Sequence, residues 1–89
     1  MIYVDPIQTH PSGDWCHMWS DTSDEELDAF ARVMGLRRGW AHTSRGYTLH
    51  RFYHYDLRPA QRETALEQGA QPMRLKDYLY RLKRLMAHP

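Results

Sequence analysis

Cysteine is nearly absent from this chain. Cys16 stands alone among 89 residues, which excludes an internal disulfide and any zinc cluster built only from cysteines. Long apolar runs are missing too: nothing approaches the ~18–20 residues that span a bilayer. No basic-plus-apolar leader opens the chain, so the expected location is the cytoplasm, away from any membrane. Internal repeats, low-complexity tracts and linkers are lacking. So are the spacings of the His-Glu-x-x-His, P-loop, Gly-x-Gly-x-x-Gly, Cys-x-x-Cys and Gly-x-Ser-x-Gly motifs. Length excludes as well. At 89 residues and 10.6 kDa, residues 1–89 make one domain, and such a domain buries only ~60–65% of its unfolded surface. Its core is thin, so any site is a shallow cleft or is shared between subunits.

What is present is ordinary in amount and uneven in placement. Hydrophobic residues are 42% and charged residues 26%, which fits a globular chain and is too apolar for a disordered one. Residues 1–36 carry one base against seven acids, a net of −6, and residues 37–89 carry eleven bases against four acids, a net of +7. Two readings follow: the halves pack together and complement each other, or the second half meets an anionic partner. Arg74, Lys76, Arg81, Lys83 and Arg84, opposed only by Asp77, argue for the partner. The acids at a helix start, where the dipole favours them, argue for internal complementation.

The local patterns predict an order of strand, strand, helix, strand, helix, a further short strand or helix entry, and helix. Residues 1–5 read as a strand with Tyr3 and Asp5 on one face and Ile2 and Val4 on the other. Residues 6–14 are turn-rich and read as a loop. Residues 15–20 read as a strand with Trp15, His17 and Trp19 on one side and Cys16, Met18 and Ser20 on the other. Thr22 or Ser23 caps a helix over residues 23–34, with Glu25 or Glu26 completing a capping box. Its buried stripe is Leu27, Phe30, Ala31 and Met34, and Gly35 stops it. Residues 37–46 are basic and irregular.

The aromatic stretch 47–56 reads as a strand with His50, Phe52, His54 and Asp56 on one face and Leu49, Arg51, Tyr53 and Tyr55 on the other. Pro59 opens a surface helix that Gly69 ends. Residues 71–73 are a last short strand or the entry to a final amphipathic helix. That helix carries a stripe of Leu75, Tyr78, Leu79, Leu82, Leu85 and Met86, with Asp77 and Arg81 as a favourable pair. The fold class is α+β, a small single domain of three to four short strands packed with about three helices.

His54-Tyr55-Asp56 is the most suggestive tripeptide. In a strand, i and i+2 share a side, so the imidazole and carboxylate stand together, as a general base or a metal ligand requires. The plainer alternative is a surface pair, or Asp56 starting a turn before Pro59. His17, between two indoles, either stacks on a ligand ring or packs as a half-buried aromatic group. Asp5 is a strand-end turn residue or a site acid, and Asp21 follows at the helix entrance. Together Asp5, His17, Asp21, His54 and Asp56 lie at strand ends or a helix start, where small α+β domains assemble sites. Two imidazoles with carboxylates suit a divalent ion such as Zn²⁺ or Mn²⁺, or an acid–base pair. Cys16 reads as a small core residue, and His10, His42 and His88 carry no hypothesis.

The chain also resembles the small bacterial and phage proteins grouped as domain of unknown function 4031. The likeness runs through Tyr3-Val4-Asp5, Trp15 with His17, Ser20-Asp21, Glu26-Leu27, Phe30-Ala31 and Gly35-Leu36. It continues in His54-Tyr55-Asp56, Arg62, Ala65 and Gly69-Ala70. The resemblance implies that the positions of His17, His54 and Asp56 belong to the family's pattern, and it implies no activity.

Two functions are compatible with these residues. In the first, Asp5, His17, Asp21, His54 and Asp56 form a site, with or without a metal, for a phosphate-containing or nucleotide-like ligand. Arg51 or Arg38 supplies positive charge and Tyr55 is a further binding residue. A catalytic version is a hydrolase with His54 as base oriented by Asp56, assisted by His17. In the second, a non-catalytic accessory protein binds nucleic acid or a protein through its basic half. Arg37, Arg38, Arg45, Arg51, Arg58, Arg74, Arg81 and Arg84 contact phosphates, and Tyr47, Tyr53 and Tyr55 stack on bases. The stripe between residues 75 and 86 adds a possible homodimer contact.

Overall fold

The central strand takes its shape from alternation. Trp15, His17 and Trp19 interleave with Cys16 and Met18, and this two-residue period builds an eight-residue strand, β3 (Gly13–Ser20), with two distinct faces. The structure, a computed structural model, describes residues 1–44 and 52–87. Strand β1 (Ile2–Val4) pairs antiparallel with β3, Tyr3 opposite Trp19 and Val4 opposite Met18. Strand β5 (Phe52–Leu57) pairs antiparallel on the other side, with His17 opposite Asp56 and Met18 opposite Tyr55. Outside these lie β4 (Ala41–Ser44) against β5 and β6 (Gln71–Pro72) parallel to β1, giving the order β4-β5-β3-β1-β6. Strand β2 (Gln8–His10) folds back on the start of β3 as a hairpin.

Helices cover both faces. Helix α1 (Asp24–Val33) is capped by the Ser23 hydroxyl, which accepts the Glu26 N–H at 3.0 Å. It ends at Gly35, whose φ of +83° lets Leu36 N–H reach back to the Ala31 carbonyl at 2.9 Å. Glu26 does not complete the capping box; its carboxylate takes the Met1 amino group at 2.7 Å and the Ser20 hydroxyl at 2.6 Å. Leu27 and Ala31 of α1, with Ala65 of α2 (Pro59–Glu67), bury Ile2, Val4, Cys16, Met18, Tyr55 and Leu57. Helix α3 (Leu75–Ala87) covers the opposite face, where Tyr78 packs on Tyr3 and Trp19, and Leu75, Leu79 and Leu82 seal the edge. The stripe offered to a partner copy is thus largely occupied inside the molecule, leaving Leu85 exposed. Asp77 pairs with Arg74, at 2.9 Å, one turn back along the chain.

The α+β class holds: among the described residues there are three α-helices, and the sheet has six strands instead of three to four. Strands β2 and β4 account for most of the difference. They are short and mostly polar, Gln8-Thr9-His10 and Ala41-His42-Thr43-Ser44, with Ala41 alone apolar, and most of their residues are exposed. Such edges carry no apolar alternation, so their pairing comes from the neighbouring strand. The stretch expected as a strand over 47–56 is described from Phe52, and residues 45–51 lie outside the described residues. No helix among the described residues is long and apolar enough to cross a membrane.

Candidate metal centre

One transverse row of the sheet holds most of the predicted site. Asp5 lies one residue beyond β1, and its backbone N–H donates to the His17 carbonyl at 3.2 Å. His17 on β3 faces Asp56 on β5. His54, two residues earlier on β5, faces His42 on β4. Antiparallel pairing sets directly opposed residues ~4.5–5.5 Å apart, so side chains from four strands meet on one face. That face is the one α3 covers only in part.

The two central imidazoles have fixed tautomers. Asp5 is 1% exposed. One of its oxygens accepts the His17 backbone N–H at 2.5 Å and the other meets His17 Nδ1 at 2.8 Å. A carboxylate only accepts, so Nδ1 carries the proton and Nε2 keeps its lone pair in the neutral ring. Arg62 of α2 donates through Nε to the Asp5 carbonyl at 2.8 Å and steadies this turn. His54 Nδ1 meets the Phe52 carbonyl at 3.1 Å and must also donate. Its Nε2 then faces the Asp56 carboxylate at 3.4 Å. A lone pair and a carboxylate oxygen so close repel unless a cation lies between them. His54 stacks on Phe52, with ring centres 4.5 Å apart and planes at 15°.

His17, His54 and Asp56 each present one donor atom within 4.8 Å of the others. Metal bonds of ~2.0–2.2 Å put neighbouring donors about 3–3.5 Å apart, a small contraction from this spacing. His42 Nε2 lies 3.6 Å from the second oxygen of Asp56. Two open clefts flank the group, one of about 690 Å³ and one of about 600 Å³, and both are lined by His17, His42 and Asp56.

His17, half-buried, and His54, buried, titrate in opposite directions. The hydrogen bond that His17 donates to Asp5 outweighs desolvation and raises the imidazole above its ordinary value. Burial dominates at His54 and lowers it, so the neutral ring is favoured. His17 therefore contributes stability that is complete below about pH 6.5 and is lost as pH rises through its raised native value. His54 contributes stability present above about pH 6.5 and lost as pH falls through its lowered native value. In metal-free urea melts from acid to mildly alkaline pH, His17→Gln flattens the alkaline fall and His54→Gln the acid fall. The opposite assignment would contradict the tautomers above.

Four predicted residues fall elsewhere or outside the described residues. Asp21 lies four residues beyond His17, roughly 13 Å along an extended strand. Its oxygens take the Met1 amino group at 3.0 Å and the Tyr3 hydroxyl at 3.1 Å, a structural anchor remote from the imidazoles. Tyr55 points to the other face, where it is buried; its hydroxyl donates to Asp28 at 2.7 Å, and burial followed by that carboxylate pushes the phenol up. It belongs to the core side because it alternates with His54 and Asp56. Arg51 lies outside the described residues. Arg38, the other candidate cation, sits 3.5 Å from Asp28. Cys16 is buried in the core, and burial pushes its thiol up to about 12.

Of the residues brought together here, His42 has no reading in the sequence and Asp5 an incomplete one. His42 sat in a stretch without strand periodicity, so nothing aligned it with His54. Asp5 was named, but as one acid among several, although it is the direct orienting partner of His17. The Tyr3-Val4-Asp5 alternation placed it on the right face; only strand pairing could say that His17 lay beside it.

The chain belongs to the DUF4031 family of proteins of unknown function, whose pattern matches residues 2–85. Searches of curated proteins and of solved structures find no match.

Proposed function

We propose that His17, His54 and Asp56 hold a divalent metal ion, and that the site carries out hydrolysis. The supporting observation is the convergence of two imidazoles, each with Nδ1 already engaged, on one carboxylate. Their Nε2 atoms are left as lone pairs, and a divalent cation removes the repulsion between them and Asp56. The Asp5–His17 pair is the carboxylate–imidazole arrangement that orients a ligand ring and raises its basicity. Three protein donors leave coordination positions open, as catalytic sites do and closed structural sites do not. Zn²⁺ or Mn²⁺ fits this donor set, and Fe²⁺ also takes two imidazoles and a carboxylate.

An ion held there would lower the pKa of its water toward ~7 and so supply a nucleophile for hydrolysis. The protein's own residues do the rest. Asp5 holds His17 in its coordinating tautomer, and the Phe52 carbonyl does the same for His54. His42 reaches Asp56 from the cleft side and is positioned to take a proton. His54 is thus a ligand in this reading, not a base oriented by Asp56, because the carboxylate meets the nitrogen that would bind the metal.

The test is calorimetric titration of metal-free protein with Zn²⁺, Mn²⁺ and Fe²⁺, with thermal melts alongside. An ion at a hundred times its Kd stabilises by about 2.7 kcal/mol, which raises Tm by roughly 10–20 °C in a domain of this size. His54→Ala and Asp56→Ala abolish the shift. No saturable binding below about 100 μM for any of the three ions, an affinity of only ~5–6 kcal/mol, defeats the reading.

A further inference from the structure

The larger cleft has an outer wall that the metal group does not explain. From His17, His42 and Asp56 it runs outward past Trp15, Arg58 and Trp40. Its volume of about 690 Å³ lies in the ~300–1,000 Å³ range of small-ligand sites. Arg58 sits over the Trp15 indole, its guanidinium carbon 4.0 Å from the ring centre. Gly13 makes room for it: a Cβ there would come within 2.8 Å of an Arg58 nitrogen. At φ +127° that position also suits glycine alone. Among the described residues, no carboxylate lies within ion-pair distance of Arg58. A planar cation held in place without a counter-charge is an anion-binding device, because its ordering cost is met before a ligand arrives. Trp40, on the same wall, is 50% exposed. Arg37 holds its guanidinium carbon 5.8 Å from that ring's centre, and the rest of the half-exposed indole, at the mouth of the cleft, is left as a stacking surface.

An anchored guanidinium, an exposed indole and a divalent-metal group along one cleft call for a ligand with an anionic group and a planar ring. We propose that this cleft binds a nucleoside monophosphate, its base on Trp40 and its phosphate between Arg58 and the metal group. This rests on the metal reading for the inner end of the cleft, whereas the Trp15–Arg58–Trp40 wall stands without it. Arg74 and Arg81 line a separate cleft beside Asp77.

The experiment is tryptophan fluorescence with AMP, GMP, CMP and UMP, on metal-free and Zn²⁺-loaded protein, with adenosine and inorganic phosphate as single-part probes. Trp19 is 1% exposed and gives a constant background. A monophosphate quenches saturably and binds at least tenfold more tightly than adenosine or phosphate. Arg58→Gln weakens it ~10–100-fold, as loss of a charge-assisted hydrogen bond does, and Trp40→Ala weakens it roughly tenfold. Both variants keep the calorimetric Zn²⁺ affinity of the parent, which separates this inference from the metal reading. Normal Zn²⁺ binding with no saturable quench by any nucleotide overturns the inference and spares the metal. Quenching of metal-free protein that Arg58→Gln abolishes, with no Zn²⁺ binding, supports the cleft and removes the metal. Phosphate binding as tight as AMP, untouched by Trp40→Ala, overturns the nucleotide assignment.

Discussion

Asp5→Ala lowers the free energy of unfolding by about 3 kcal/mol, measured by urea denaturation of metal-free protein at pH 7. The side chain is buried and accepts two hydrogen bonds from His17, one from the backbone and one from the ring. Truncation leaves a buried N–H without an acceptor and an imidazole without its partner, and removing one member of such a pair costs ~3–5 kcal/mol when both are fully buried. His17 keeps 30% exposure at its side chain, which puts the expectation at the lower end. Asp5→Asn separates stability from chemistry. The amide keeps the volume and one acceptor for the His17 N–H, but its NH₂ then faces Nδ1. The ring answers by moving its proton to Nε2, the nitrogen meant for the metal. Stability falls less than in the alanine variant, while Zn²⁺ affinity drops ~10–100-fold, the usual loss when a ligand's orienting partner is removed. An Asp5→Asn protein that binds Zn²⁺ like the parent would show that Asp5 is structural only.

Met18→Ala tests the sheet that carries the site. Met18 is fully buried on the central strand, between Val4 of β1 and Tyr55 of β5, facing the helices that pack on Cys16 and Leu57. Large-to-small substitution there costs ~2–4 kcal/mol in lost transfer energy and cavity. In a domain this small each kcal/mol moves Tm by ~4–8 °C, so calorimetry should find a fall of roughly 10–25 °C. Total stability for this length is of order 5–10 kcal/mol, so the variant sits near the edge of folding at 37 °C. A loss below about 1 kcal/mol would place the core elsewhere.

How much of this was legible depended on periodicity. Helix α1 was readable almost residue by residue, since Ser23, Leu27, Ala31 and Gly35 each answer a local physical demand. The faces of β1, β3 and β5 followed from strict alternation, and that put His17, His54 and Asp56 on surfaces able to meet. Their meeting was not readable, because lateral order in a sheet is set by pairing between distant segments. Asp21 shows the opposite failure: four residues after His17 it looked close, and extended chain carried it away to the start of α1. Tyr55 was drawn into the site by adjacency to His54, although the same alternation that joined His54 to Asp56 sent it through to the other side. His42 was lost because its strand exists only by virtue of β5 beside it.

The reverse side of the sheet bears on the ligands in a way their own contacts do not reveal. Tyr53 and Tyr55 both donate to one oxygen of Asp28, at 2.6 and 2.7 Å, and these two tyrosines alternate with His54 and Asp56 along β5. A one-residue slip of β5 would turn both hydroxyls away from α1 and turn the imidazole and carboxylate into the core. Asp28 therefore works as a key in a slot: by fitting two phenols at once it favours one alignment of the strand, and so indexes His54 and Asp56 through the thickness of the protein without touching them.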